Sequence, residues 1–471
     1  MPVSHTPEAG RQGLDRYSLP KRSEERAKVR VVIVGAGHDG SYLAERLVAE
    51  GQEVVIIEVD EDKAARIQER LDVLVVHGNG ASPTVLRRAG VEQAGLFLAV
   101  TNNDGANVLA CRGAKALGVR RTVARVEDPD LREVSPGLGV DVVVDARIST
   151  ARQAAMLAQH AGVTEYADFA GGRLSLVAGV VTAGSPADGH SVLDLRQRVS
   201  GKWHFIVAAV VRGEETQIGR GETRVEAGDH IVVMVEHGRV RDAIAMFGID
   251  VEPISRVIIL GGTRIAEMTA EILLDAGYEV LIVEADPERA ALMARRCRAW
   301  ILQAEPTDAD FLTSLRLGRG DVVVGLSGLD EKNLMGCLVA GAVGAPKTIA
   351  RFGHRSVAGL LRNVGIDATL SSRVAVANMI LQFVRRDRIL SVATVKDTDA
   401  EALEIEIAGD SPSAGVALVD LDLPRDAVLG GIARGDHVIV PRGDTTLMAG
   451  DHVVIFAKSE AIDAVEKLLL P

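Results

Sequence analysis

From Val29 onward the chain alternates two apolar patterns. Short, nearly unbroken runs of Val, Ile, Leu and Ala fall at 29–35, 54–59, 73–77, 96–100, 121–126 and 140–144. Between them, at about 39–50, 61–71, 82–90, 104–117, 128–134 and 147–160, apolar residues recur at helical spacing. Continuous apolar runs mark strands covered on both faces, and their alternation with helical segments marks βαβ units. The pattern predicts a doubly wound parallel sheet, and it recurs from Val257 to about Phe383.

The recurrence is a duplication. Gly35 and Gly261 each close a strand and stand 226 positions apart. Glu58 and Glu284 (VVIIE, VLIVE), Asn107 and Asn333, Cys111 and Cys337, and Arg125 and Arg351 (VARV, IARF) keep the same offset. Insertions collect in loops, so a gapless offset across many elements means two copies of one complete fold. After each copy comes a β-rich segment with a Gly-Asp turn, AGDHIVVMV at 227–235 and AGDHVVIFA at 449–457, now 222 apart; about four residues are missing earlier in the second. The predicted fold is α/β: two tandem Rossmann-like doubly wound parallel sheets, each followed by a small α+β C-domain. The expected divisions are a flexible tail at 1–28, Rossmann-like domains at 29–160 and 256–389, and C-domains at 164–248 and 393–471. Linkers are expected at about 161–166, 252–255 and 390–396.

Composition narrows the function classes. Aromatic residues make up 3% of the 471, so the cores must be built from aliphatic side chains. A net charge of −12 with so few aromatics lacks the basic groove and stacking platforms of nucleic-acid binders. Three cysteines without a CxxC point to a reducing compartment and no structural zinc. The N-terminal segment has no apolar core and does not read as a signal peptide, and no run approaches the ~18 apolar residues of a membrane span. A soluble, cytoplasmic protein is expected.

The candidate chemistry lies at the strand ends. VVIVGAGHDG (31–40) carries Gly-x-Gly-x-x-Gly between a strand and a helix, with an acidic residue some 20 positions on, the context of a dinucleotide-binding turn. Gly35 permits the tight turn, Ala36 follows it, and Gly37 lets the backbone approach a pyrophosphate. Gly40 lets the helix sit close to the sheet. The helix N-terminus then offers free N–H groups and partial positive charge to phosphate. Glu58 ends the second strand, where its oxygens can accept from both ribose hydroxyls and its charge repels a 2′-phosphate. His38 is either a phosphate donor or a solvated first-turn residue. Asp39 either complements the helix dipole or helps hold a divalent cation. Asn79, in HGNGAS, either bonds adenine or ribose or simply makes an Asn-Gly turn. Thr101 and Asn102 fall at the switch point of the sheet. Arg125 either reaches a phosphate or pairs with Glu127 or Asp128. Buried, small-apolar roles are expected for Cys111 and Cys337.

In the second copy the turn reads GGTRIA: Gly261 remains, Gly37 becomes Thr263 and Gly40 becomes Ala266. HGNGA becomes QAEPT, while Glu284 and Arg351 persist. This pocket is expected to bind weakly, differently or not at all, with Arg264 as a substitute phosphate ligand. No metal site and no catalytic cluster is evident.

VIVGAGHDG, VVIIEVDED, HGNGASPTVLRRAG, LAVTNNDGAN and RTVARVEDP in this order, the same series again, and a Gly-Asp module after each copy are similar to the TrkA family. These are the peripheral tandem-RCK (regulator of K⁺ conductance) subunits of bacterial Trk potassium uptake systems. The resemblance covers about 29–471 and implies a non-enzymatic regulator. It implies four chains forming a ring of eight RCK units on the cytoplasmic face of a TrkH/TrkG-like membrane potassium transporter. ATP, ADP or NAD(H) would change ring shape and so gate ion flow. The contacts it implies are Gly35, Gly37, His38, Asp39, Glu58, Thr101, Asn102 and Arg125, then Gly261, Thr263, Arg264, Glu284 and Arg351. Relatives usually carry Gln or Arg at the place of His38, an apolar residue at Asp39 and Asp at Asn79, departures that bear on nucleotide preference. Two other readings compete: an NAD-dependent oxidoreductase, with His204 or His230 as acid/base by default, and a structural assembly subunit with a vestigial site.

Overall fold

A computed structural model describes residues 29–49, 51–160, 162–198, 203–213, 215–249, 253–352, 364–384, 389–395 and 398–471. The expected tail at 1–28 lies outside them, as do residues 161, 252 and 396 of the expected linkers. The first apolar runs form β1 (Arg30–Val34), β2 (Glu53–Glu58), β3 (Leu74–His77), β4 (Leu96–Ala99), β5 (Arg121–Arg125) and β6 (Val142–Val144). They make a parallel sheet in the order β3-β2-β1-β4-β5-β6, with the order reversing between β1 and β4. Val31, Val32 and Ile33 are fully buried, as a strand covered on both faces requires. Intervening helices start at side-chain caps such as Asp60, Asn103 and Asp128, which accept from backbone N–H groups of the first turn.

An antiparallel module follows: β7 (Val163–Phe169), β8 (Leu174–Val180), β9 (His190–Ser191), β10 (Phe205–Arg212), β11 (Glu215–Ile218), β12 (Arg224–Val225) and β13 (His230–Glu236). Five of these strands form a sheet in the order β11-β10-β13-β8-β7. The second copy repeats the parallel sheet with β14 (Arg256–Leu260), β15 (Glu279–Glu284), β16 (Trp300–Gln303), β17 (Asp321–Gly325), β18 (Lys347–Arg351) and β19 (Ala368–Leu370), ordered β16-β15-β14-β17-β18-β19. Its own module is β20 (Ile389–Thr394), β21 (Ala400–Glu406), β22 (Ala427–Arg434), β23 (His437–Ile439) and β24 (His452–Lys458), ordered β20-β21-β24-β22-β23. The 226-residue offset still relates β8 to β21, and 222 relates β10 to β22. The missing residues therefore fall where the first module has β9 and the helix Val192–Arg198, and the second only the short turn Leu418–Asp420.

The Gly-Asp turns explain themselves structurally. Gly228 takes φ +89° and Gly450 φ +85°, the left-handed region that favours glycine. Asp229 is buried and accepts two bonds from Arg212 (2.7 and 2.8 Å) and one from the Glu226 N–H (2.8 Å). Asp451 does the same with Arg434 and the Met448 N–H. The two modules share a core in which Leu174, Leu176 and Met234 meet Ala402, Val454 and Phe456.

The copies exchange helices. The helix Ala146–Gln159 follows β6, but its small face (Ala151, Ala154, Ala155, Ala158) shares a core with Ile265, Ala266 and Ala270 of the second copy. Reciprocally, Val376, Ala377 and Ile380 of the helix Ser372–Val384 join Leu43, Ala44 and Leu47 of the first. Each parallel sheet is thus closed by a helix from the other copy.

Asp145 caps the first exchanged helix, accepting from Arg147 N (3.0 Å) and the Arg147 guanidinium (2.9 and 3.0 Å), and it also pairs with Arg132. Burial opposes its charge, but the Arg147 bonds prevail and hold its carboxyl below the usual carboxylate range. A folded pKa below the unfolded one means this stabilisation is complete above about pH 4 and is lost as pH falls through the folded value. Urea titrations at pH 3–5 are expected to show wild-type stability falling more steeply with acid than that of Asp145→Asn.

Candidate nucleotide-binding site

β1 runs into Gly35 (φ +104°), whose N–H donates to Ile57 O at 2.8 Å. A Cβ at Gly35 would lie 3.0 Å from Thr101 Cγ2, and one at Gly40 only 1.8 Å from Gly35 O, so the helix His38–Ala49 seats directly on the turn. Gly37 is exposed and has open space where a Cβ would be. His38 is also exposed, at the helix start.

Glu58 is buried beneath the turn. One carboxylate oxygen accepts from Ala36 N (2.5 Å) and the other from Val59 N and Asp60 N (2.8 and 2.9 Å). It therefore anchors the glycine turn, and Oε2, carrying one of these bonds, keeps capacity for another.

Asp39 lies 2.9 Å from Arg125 Nη1, and Arg125 Nε donates to Glu127 at 3.0 Å. Burial opposes the Arg125 charge, but Glu127 and Asp39 more than offset it and raise its pKa. Asn79 makes the Asn-Gly turn, accepting from Ala81 N at 2.9 Å, and Asn102 is exposed.

A residue that marked only the repeat turns out to position the site. Asn107, fully buried, accepts from Thr101 N (3.0 Å) and Oγ1 (2.6 Å) and donates to Thr101 O and Arg125 O. It ties the end of β4 to the end of β5. Asn333 binds Ser327 N and Arg351 O in the same way.

In the second copy the corresponding groups are occupied by the protein's own side chains. Gly261 keeps φ +101°, and Glu284 accepts from Gly262 N (2.7 Å) and Asp286 N (2.8 Å). Arg289 lies 3.4 Å from the Glu284 carboxylate. Thr263 Oγ1 donates to Leu326 O (2.7 Å) and accepts from Ala266 N (3.3 Å), capping the helix Arg264–Asp275. The Ala266 methyl stands where the first copy has no room for one. Arg264 is paired with the buried Glu267 at 2.8 Å.

The starts of the two helices that follow the turns face one cleft. A cavity of about 260 Å³ is lined by Asp39, Arg125, Glu127 and Arg147 from the first copy and by Thr263, Arg264 and Arg351 from the second. Four guanidinium groups meet two carboxylates in its lining, and Arg147 and Arg264 are further paired with Asp145 and Glu267 behind it. Arg147 is absent from the sequence expectations; its only signal is its place just past the end of β6. Neither His204 nor His230 lines the cleft. Burial pushes the Cys111 and Cys337 thiols up to about 12, so neither is a thiolate at neutral pH. Among the described residues no group of three His, Cys, Asp or Glu is placed to hold a metal ion, and no helix is long and apolar enough to cross a membrane.

Fold and site together define a tandem pair of Rossmann-like modules of the RCK type, each carrying a small antiparallel C-domain. The TrkA-N domain model matches residues 31–146 and 257–372, and the TrkA-C domain model matches 176–248 and 402–470. The chain belongs to the TrkA family of Trk system potassium uptake proteins. It is 35% identical to the Trk system potassium uptake protein TrkA homolog of Archaeoglobus fulgidus, over 93% of this chain and 100% of that protein. It is 30% identical to Trk system potassium uptake protein TrkA of Halomonas elongata, over 91% and 95%. Among solved structures, the GsuK RCK domain superposes with a TM-score of 0.60 at 17% identity, covering 95% of this chain and 96% of that one. The GsuK channel bound to NAD gives 0.59 at 17% identity, covering 96% and 81%. At this identity the likeness is one of fold.

Proposed function

We propose that the chain is the regulatory subunit of a potassium uptake system and reads ATP/ADP or NAD(H) at the first strand-end site. The observation that carries this reading is the shared cleft. A nucleotide whose ribose meets Glu58 and whose phosphates meet Gly37 and the helix N-terminus extends its phosphates toward Arg264 and Arg351 of the other copy. Its charge then draws on groups whose spacing depends on how the copies are set, which is the unequal binding to two arrangements that a sensor needs. Couplings of this kind amount to about 1–3 kcal/mol, 5- to 150-fold in affinity. The second site, with Thr263 and Arg289 occupying its donors and acceptor, binds more weakly. GsuK structures bound to NAD and to ADP are consistent with such a role for the fold.

The partner is a membrane potassium transporter subunit, with this chain peripheral on its cytoplasmic side and assembled as a ring of four chains. Two pairs of exposed apolar residues support assembly: Leu109 with Met335, and Leu74 with Trp300, each at equivalent places in the two copies and 53–70% exposed. A repeated apolar spot on both copies suits a ring in which like surfaces meet in turn. Light scattering is expected to show a tetramer for the native chain and smaller species for the Leu109→Asp, Met335→Asp variant.

The function itself is tested by rubidium uptake into proteoliposomes carrying the membrane subunit, with and without this chain. Uptake should differ between ATP and ADP, or between NADH and NAD⁺, only when the chain is present; uptake indifferent to the chain and to all four nucleotides refutes the reading.

A further inference from the structure

Each copy presents an open stripe on one helix. On the helix Asp104–Ala116, Gly105, Leu109, Arg112 and Ala116 follow one another at helical spacing and share one face. Leu109, Arg112 and Ala116 are exposed and Gly105 is half-buried. The helix Asp330–Ala342 carries Glu331, Met335, Leu338 and Ala342 at the same places, 226 positions on. Of these Glu331, Met335 and Ala342 are exposed and Leu338 is half-buried. The apolar centres, Leu109 and Met335, are alike, but their flanks differ: Gly105 is replaced by Glu331, and Arg112 by Leu338. Neither Arg112 nor Glu331 has an ion-pair partner among the described residues.

The flanks decide which faces fit. Two such helices set antiparallel, centre on centre, bring the residue one turn after one centre against the residue one turn before the other. First copy against second then puts Arg112 opposite Glu331 and Gly105 opposite Leu338. Opposite charges meet, and the leucine lies over a residue without a side chain. First copy against first puts both arginines over glycines, with no carboxylate to meet them. Second against second presses each Glu331 carboxylate onto Leu338, where losing water without gaining a cation is costly. A parallel mixed pair fits no better, since Arg112 then meets Leu338. Complementary charges of this kind select partner and register more than they add affinity.

We propose that the Leu109 face docks antiparallel on the Met335 face of a second copy of this chain. The contact is heterologous: each chain gives its first copy to one neighbour and its second to the other, and such contacts form a ring when the rotation closes. The inference rests on the ring assembly proposed above and adds its order, first and second copies alternating around it. The docking helix also carries Asn107, which ties together the strand ends of the first site, so interface and site share one element.

The test is disulfide trapping in the full chain on a Cys297→Ser background, since Cys111 and Cys337 are buried. Leu109→Cys and Met335→Cys in one chain should give, on oxidation, covalent species up to the tetramer, and either substitution alone should give none. A covalent dimer from either single variant, or no covalent species from the pair, overturns the proposal. Charge exchange is the second arm. Arg112→Glu should shift the assembly to smaller species in light scattering, and adding Glu331→Arg should restore the tetramer. Faces paired like with like gain nothing from that second change, so an unshifted Arg112→Glu or a failure to restore also overturns the proposal. A wild-type chain that is monomeric refutes the ring and this order with it, whereas a tetramer whose single cysteines self-link refutes the order alone.

Discussion

Glu58→Ala is expected to weaken NADH or ATP binding about a hundredfold in calorimetric titration, while Glu284→Ala changes it less than about threefold. In the proposed reading the Glu58 carboxylate accepts from a ribose hydroxyl, and bonds to a charged acceptor contribute about 1.5–3 kcal/mol each. The one such bond that Oε2 has room for amounts to about 1.5–3 kcal/mol, or roughly one to two decades in Kd. Losing the Ala36 N–H anchor (2.5 Å) loosens the phosphate-facing turn in the same variant. Glu58→Gln separates the two effects: its amide oxygen retains one acceptor for the turn while the charge is gone, so an intermediate loss is expected. Glu284 carries Arg289 and sits under a turn capped by Thr263, so its removal costs the chain little ligand affinity. Unchanged affinity in Glu58→Ala would defeat the assignment of the first site. A 2′-phosphate adds charge beside Glu58, so NADPH is expected to bind more weakly than NADH.

Much of the fold was legible because the physics was local. Strands buried on both faces must be continuous in Val, Ile and Leu, so β1, β2 and β4 are visible as runs, and the 226-residue offset doubles each signal. Gly35 and Gly40 are equally readable, since a positive φ and a 1.8 Å approach leave no alternative residue. What escaped was set by tertiary partners. The spacing of Ala151, Ala154 and Ala158 says that one helix face is buried but not against which sheet, so the exchange between copies has no sequence signature. The sequence leaves Asp39 between the helix dipole and a cation because its partner, Arg125, is 86 residues away. In the sequence Asn107 and Asn333 read only as repeat markers, and the role of a buried amide joining two strand ends needs the ends in place. The shared cleft escaped for the same reason, since Arg147 and Arg351 come together only through the exchange.

Lys347→Met is expected to destabilise the chain by about 3–5 kcal/mol, because Lys347 locks that exchange. A lysine at the head of a strand reads as a solvated residue, yet Lys347 is 2% exposed. Its ammonium donates to Leu157 O (2.8 Å), His160 O (2.6 Å) and Val163 O (2.9 Å). These carbonyls belong to the end of the helix Ala146–Gln159 and the strand that follows it, groups that no intrahelical N–H can satisfy. The cation also suits the negative end of the helix dipole. Methionine keeps the volume and removes the cost of burying an ammonium, which sets the lower bound. His160 O keeps the Val163 N–H (3.1 Å), so at most two buried carbonyls lose their donor, at about 1–3 kcal/mol each, which sets the upper range. Lys347→Arg should not rescue, since a planar fork cannot direct three donors to carbonyls converging on one point. For domains of this size about 2–4 °C of melting temperature accompanies each kcal/mol, so calorimetry should show a loss near 10 °C in both variants. The loss should fall on the transition that contains the second parallel sheet, whose closing helix is the one released. A melting temperature within about 2 °C of wild type would mean that the alanine face alone holds the copies together.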